Sequence, residues 1–297
     1  MNFNETLTIK VQNIEEIIKK FLPKEEGYQK TILEAMNYSI LAGGKRLRPM
    51  LMQEVFKAFG GTGKVVEPFM AAIEMIHTYS LVHDDLPAMD NDEYRRGRKT
   101  THVVYGEAMG ILAGDGLLNY AFETAMGAFE GASLEEYPRI ARALQVLARK
   151  AGVYGMIGGQ VCDIESENKQ EPISSDTLMF IHEYKTAALI QAAMMVGGIL
   201  AGANDEQIAS LEQSAYDLGI AFQIQDDILD VTSTFEELGK PIGSDEKNNK
   251  QTYVTIHGLE HSKAEVKRLS EEAISLVGLD TNSFLVKLFE SLIYRSK

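Results

Sequence analysis

The chain has 297 residues, 45% hydrophobic and 24% charged, with a single cysteine, Cys162. That composition suits a globular chain able to bury a large core unaided, and one cysteine excludes an intramolecular disulfide. The formal net charge of −14 and pI near 5.0 argue against a generally basic face for nucleic acid. A local cluster of cations could still hold a small phosphorylated ligand.

The N-terminal segment alternates charged and apolar residues and lacks the unbroken apolar core of a signal peptide. Residues 11–22 place Val11, Ile14, Ile17, Ile18 and Phe21 on one helical face. Similar patterns predict helices around 30–42, 48–59, 66–86, 106–129, 135–154, 176–203, 205–231, 262–277 and 281–294. Alternating β-branched runs are nearly absent, so strands are not expected. Connections carry helix breakers, at 60–63, at Glu171-Pro172, at 202–204 and at 239–243. The most apolar stretch, 187–203, reads as too short for a membrane span and carries Gln191. No repeat or composition break divides the chain. The expectation is a cytoplasmic, all-α chain of about ten or more helices, forming a single domain over 1–297 with sites between facing helices.

Two acidic clusters stand out. Asp84, Asp85, Asp90 and Asp92 follow the long apolar pattern from residue 66. Pro87 stops a regular helix there, so Asp84 and Asp85 fall in its last turn and Asp90 folds back beside them. Carboxylates at a helix C-terminus repel its partial negative charge and one another. A divalent cation would offset that, and hard oxygen donors suit Mg²⁺. A solvated acidic loop would read the same way. The cations Arg95, Arg96, Arg98 and Lys99 follow at once, and acids for Mg²⁺ beside cations for phosphate is the arrangement a diphosphate needs. In the second cluster, Gln223, Asp226, Asp227 and Asp230 follow helical spacing among apolar neighbours. That stripe faces either solvent or an internal cavity.

Other polar candidates are weaker. Gly43-Gly44-Lys45-Arg46-Leu47-Arg48-Pro49 offers cations at a flexible turn. His77 precedes Asp84 by two turns on the same face and reads equally as structural or functional. His83 reads as structural, and the methionines read as core. Lys185-Thr186 lies in an apolar helix, where a buried lysine needs a partner. Gly158-Gly159-Gln160 and Asp163 mark a close helix approach. Lys240 and Lys250 lie in loops able to fold over an anion.

Together GGKRLRP (43–49), HDDLPAMDND (83–92), RRG (95–97), GGQ (158–160), KT (185–186), FQIQDDILD (222–230) and GKPIGSD (239–245) resemble the trans-isoprenyl diphosphate synthase family, in its order and spacing. The resemblance covers about residues 30–255. It implies an isoprenoid synthase fold around a central cavity. It implies Asp84, Asp90 and Asp226 as ligands of three Mg²⁺, supported by Asp85, Asp227 and Asp230. Arg95, Lys185 and Lys240 would bind the allylic diphosphate, with Thr186 and Gln223 near the reacting carbon. Lys45, Arg48, His77 and Arg96 would bind isopentenyl diphosphate. The bulky Tyr79, followed by Ser80, and the two extra residues in the first motif resemble bacterial farnesyl diphosphate synthases, with longer-product synthases as the alternative. The family further implies a homodimer. A terpene cyclase would carry a different second motif and have no use for GGKRLRP, and a regulatory subunit would be expected to lose one aspartate motif.

Overall fold

The computed structural model of the protein describes residues 2–167, 172–232 and 251–293. These are overwhelmingly helical, as the periodicity predicts. They group into two compact units: residues 1–144 with 199–202, and residues 145–198 with 203–297.

The first unit holds α1 (Phe3–Lys20), α2 (Lys30–Ile40), α3 (Leu47–Ala58) and α4 (Val66–Asp84), then α5 (Thr101–Tyr105) and α6 (Glu107–Met126). Helix α4 is apolar on every side, and Phe69, Met70, Ile73, Met75 and Ile76 are completely buried. It packs against α1, α2, α3 and α6. It ends at Asp84, with Asp85 as its C-cap, two residues before Pro87.

Between α4 and α5 lies an element that the sequence pattern does not predict. Strands β1 (Tyr94–Arg95) and β2 (Arg98–Lys99) pair antiparallel, with Arg95 opposite Arg98. The connecting Arg96 and Gly97 both have positive φ, 53° and 74°. That is the signature of a type I′ hairpin turn, which matches the strands' natural twist. Two residues per strand are too few to show as alternation.

Helix α7 (Tyr137–Ala151) crosses the boundary between the units. The second unit continues with α8 (Met156–Glu167), α9 (Ser175–Ile181), a π turn (His182–Ala187) and α10 (Ala188–Ala201). It ends with α11 (Asp205–Thr232), α12 (Tyr253–His257), α13 (Leu259–Val277) and α14 (Phe284–Ile293). Helix α11 packs along α13, and the π turn lies against both α8 and α11.

The stretch expected as one helix over 176–203 is therefore α9, a π turn and α10 in sequence. Its 27 residues, Ser175–Ala201, are by length and composition apolar enough to cross a membrane, but they are mostly buried within the protein. Helix α8 was also not expected, since no helical pattern was assigned over 156–167. Gly159 makes the close helix approach that the glycine pair marks in the sequence. A Cβ there would stand 2.1 Å from the Lys185 amide nitrogen, so only glycine lets α8 approach the π turn this closely.

Candidate functional site

In the first unit the aspartate cluster is organised by backbone. The Asp90 amide donates to the Asp84 carbonyl at 2.9 Å, and Met89 and Asn91 amides both donate to the Leu86 carbonyl. The chain thus turns back at Pro87 and returns Asp90 to Asp84, as the proline predicts. Asp84 is half-buried and Asp90 exposed.

Asp85 differs from its neighbours. It is 3% exposed and accepts from Arg95 Nε at 2.6 Å, with Arg95 Nη2 at 2.5 Å from the same oxygen. Burial pushes its carboxyl above the ordinary value, against the pull of Arg95. Arg95 also reaches Asp92 at 3.5 Å. Arg95, one of the cations that follow the acids in sequence, is thus paired with two of them.

The glycine-rich turn lies with the same group. Gly43 has φ 84°, and Gly44 has φ 145°. A Cβ on Gly44 would meet the Arg96 guanidinium at 2.7 Å, and Arg96 donates to the Gly43 carbonyl. The glycines therefore admit an arginine of the same chain as well as presenting backbone amides. Arg46 and Arg96 both hold left-handed backbone, at φ 48° and 53°, uncommon outside glycine and found where surrounding structure enforces it.

Arg48 is half-buried, and burial followed by the charge of Arg96 lowers its guanidinium to about 10. His77 lies among these cations. Burial, then Arg48, Arg96, Arg46 and Arg95, hold its imidazole well below the ordinary value, leaving it neutral at pH 7. So His77, Arg48 and Arg96 form one electrostatic neighbourhood; Lys45 is exposed at its edge of the turn. His83 is structural, as expected. Its Nε2 donates to the Ile111 carbonyl at 3.0 Å, and its ring fills the space that a side chain at Gly114 would need.

Tyr79 is 6% exposed, one turn before His83, and the two rings meet edge to face at 5.8 Å. Its hydroxyl has no hydrogen-bond partner. Burial and the charge of Asp84 push that hydroxyl up to about 12. Ser80 donates back to the His77 carbonyl at 3.0 Å.

In the second unit the π turn carries Lys185 and Thr186. Its ladder closes from the Ala188 amide to the Glu183 carbonyl, one residue longer than an α turn. Such turns recur at functional sites because they turn backbone and side chains out of regular register. Thr186 Oγ1 donates to Gln223 Oε1 of α11 at 3.2 Å, bringing these two predicted residues together. Lys185 Nζ lies 2.5 Å from Asp163 Oδ2 of α8. The partner that a buried lysine needs is thus supplied by the protein itself. Asp163 lies 22 positions away and had only a close helix approach to recommend it.

On α11, Asp226 is exposed, Asp230 half-buried and Asp227 buried. Asp227 Oδ2 accepts from the Tyr253 amide at 2.7 Å. Lys240 and Lys250 lie outside the described residues.

Among the described residues no three His, Cys, Asp or Glu side chains gather closely enough to hold a metal by themselves. Mg²⁺ commonly takes one or two carboxylates and completes its shell with water and substrate phosphates. The donors here are carboxylates at accessible positions, with cations for phosphate nearby.

Two aspartate motifs, a cationic glycine turn and a polar π turn are groups whose chemistry suits a divalent metal and a phosphorylated ligand. The polyprenyl synthetase family model matches residues 29–283, and the chain belongs to that family, as a prenyltransferase. It is 48% identical over 242 residues to a chloroplastic geranylgeranyl pyrophosphate synthase of Catharanthus roseus, covering 82% of this chain and 67% of the relative. It is 43% identical over 263 residues to a farnesyl diphosphate synthase of Geobacillus stearothermophilus, covering 89% and 87%. Among solved structures, an FPP/GFPP synthase from Zymomonas mobilis superposes with a TM-score of 0.85 at 30% identity, covering 100% and 99%.

Proposed function

We propose that this chain condenses isopentenyl diphosphate with dimethylallyl or geranyl diphosphate to form farnesyl diphosphate and release diphosphate. The observation that carries the farnesyl reading is Tyr79. It is buried on α4 five positions before Asp84, and in this reading its ring is the floor that stops a growing chain along that helix. The relative from Geobacillus stearothermophilus, named a farnesyl diphosphate synthase, supports it. The second reading is geranylgeranyl diphosphate as product, favoured by the Catharanthus roseus relative and the same first motif.

In this reading Asp84 and Asp90, supported by Asp85, and Asp226, supported by Asp230, would hold Mg²⁺, which would supply positive charge against that building on the departing diphosphate. Arg95, Lys185 and Lys240 hold the allylic diphosphate. Lys45, Arg48, His77 and Arg96 hold isopentenyl diphosphate, and neutral His77 serves as a hydrogen-bond donor rather than a charge. As the allylic carbon–oxygen bond breaks, positive charge develops on carbon. The Lys185 carbonyl, Thr186 hydroxyl and Gln223 amide oxygen are negative dipole ends that stabilise it. The double bond of isopentenyl diphosphate then attacks and a proton is lost to the released diphosphate, so no protein base is required. The same reading makes the enzyme a cytoplasmic homodimer.

The test is incubation of purified protein with labelled isopentenyl diphosphate, Mg²⁺ and each allylic primer in turn. Farnesyl diphosphate as the dominant product is the expected result. Geranylgeranyl or longer product would replace the farnesyl reading, and no condensation at all would overturn both.

A further inference from the structure

The three carboxylates of the second motif do not share one environment. Asp226 is exposed and Asp230 half-buried, while Asp227 is 8% exposed and accepts the Tyr253 amide at 2.7 Å. Tyr253 is the first residue of α12, whose five residues are too few to hold together as an isolated helix. Its stability must come from what it touches. Thr252 and Thr255 cap the N-terminus reciprocally. The Tyr253 amide is one of the first-turn donors with no partner inside the helix. A carboxylate is a strong acceptor there, because the bond is charge-assisted and the helix dipole favours it.

The other side of α12 is tied as well. The Tyr253 ring packs on His257 at 4.4 Å and stacks with His261 at 6.2 Å. His257 Nε2 shares a hydrogen bond of 2.9 Å with the Ser175 hydroxyl. Ser175 opens α9, which runs directly into the π turn bearing Lys185 and Thr186. Thr186 in turn bonds Gln223 on α11, one helical turn before Asp227. The contacts form a closed ring within the second unit: α11, α12, α9, the π turn and α11 again.

We propose that Asp227 is a positioning residue rather than a metal-supporting one. Through the Tyr253 amide it locks α12 against α11, and through α12 and Ser175 it holds the π turn in register with Gln223. This rests on the reading of Lys185, Thr186 and Gln223 as the groups near the reacting carbon.

Four variants separate this from a metal role. Asp227→Asn keeps an oxygen acceptor and loses the charge. Asp227→Ala removes the acceptor. Tyr253→Pro removes only the amide donor relative to Tyr253→Ala, at a helix position where proline is tolerated. Hydrogen–deuterium exchange of the segment 251–258 should accelerate at least about tenfold in Asp227→Ala and in Tyr253→Pro, and about threefold or less in Asp227→Asn. Asp227→Ala should add nothing in a Tyr253→Pro background, but its full effect in a Tyr253→Ala background. In turnover, kcat should fall in Asp227→Ala and recover in Asp227→Asn, with the Mg²⁺ concentration for half-maximal rate within about twofold of the parent. The proposal is overturned if Asp227→Asn raises that concentration tenfold while exchange is unchanged. It is overturned equally if the Asp227→Ala and Tyr253→Pro effects add. The exchange and double-variant outcomes need no turnover, so they stand even if the prenyl-transfer reading fails.

Discussion

The Arg46 guanidinium donates to the Glu74 carboxylate at 2.7 Å with both side chains 2% exposed. Its second arm donates to the Ile40 carbonyl at 2.8 Å, and its Nε stands 3.6 Å from Glu15. One side chain thus ties α1, the end of α2 and α4, and fixes the turn that carries Lys45 and Arg48. Breaking a buried pair strands the remaining charge, at about 3–5 kcal/mol. Arg46→Ala should lower the thermal midpoint by many degrees. Arg46→Lys should recover little, because an ammonium cannot reproduce the fork. Thermal denaturation checks both. Where the variant folds, KM for isopentenyl diphosphate should rise more than kcat falls.

Tyr79 gives a prediction about product. If Tyr79 is the floor of the product pocket, as proposed, Tyr79→Ala should lengthen the product. Unchanged farnesyl diphosphate from that variant, by chromatography of the labelled chains, would refute the floor assignment. Because the hydroxyl is buried without a partner, Tyr79→Phe should keep the product length and hold or raise stability. Removing an unsatisfied polar group relieves its desolvation cost, about 1–3 kcal/mol at most.

Gly159→Ala tests the approach of α8 to the π turn. The added Cβ would stand 2.1 Å from the Lys185 amide nitrogen and 2.6 Å from the Tyr184 carbonyl carbon, both backbone atoms. Neither can rotate away, so α8 must shift. Overpacking of this kind costs about 1–3 kcal/mol. The shift should also disturb the Asp163–Lys185 pair. Expected is a lower unfolding midpoint together with a loss of kcat exceeding tenfold; wild-type turnover in a folded Gly159→Ala protein would show that the π turn's position does not matter.

Asp217 sets a pH dependence. It lies on α11, 2% exposed, with Oδ1 accepting from Gln213 at 3.0 Å and Oδ2 unpartnered. Burial pushes its carboxyl up to about 6, with Glu272 and Glu265 adding to the rise and Gln213 and Arg268 opposing it. The folded value exceeds the unfolded one, so the folded state binds the proton more tightly. Stability should therefore fall as pH rises from the unfolded value near 3.8 through about 6, and level off above. Asp217→Asn should be more stable than the parent by about 1–2 kcal/mol at pH 8, with the gain gone below pH ~4. Denaturant midpoints at the two pH values check it.

Much of this protein could be read directly from residue order. The long helices show through their 3.6-residue periodicity, and α4 through an apolar run that only a core helix sustains. Pro87 predicts the turn that returns Asp90 to Asp84, because proline's missing N–H and fixed φ act locally. The family resemblance put Thr186 and Gln223 near one reacting carbon and His77, Arg48 and Arg96 at one diphosphate; the Thr186–Gln223 hydrogen bond itself is a structural finding. Less legible were α8, over which no helical pattern was assigned, and the π turn, whose longer ring has no compositional mark.

Sequence alone determined the helical class, the two aspartate motifs and the cationic turn, since each depends on neighbours within a turn or two of chain. Only the tertiary structure decided how the carboxylates divide their work. Asp85 pairs with Arg95, Asp163 with Lys185 and Asp227 with the Tyr253 amide, across separations of 10, 22 and 26 residues. Adjacent aspartates in a motif look identical, but a helix turns each by about 100° from the next. That rotation buries Asp85 and Asp227 against the protein and leaves Asp84 and Asp226 the more open of each pair.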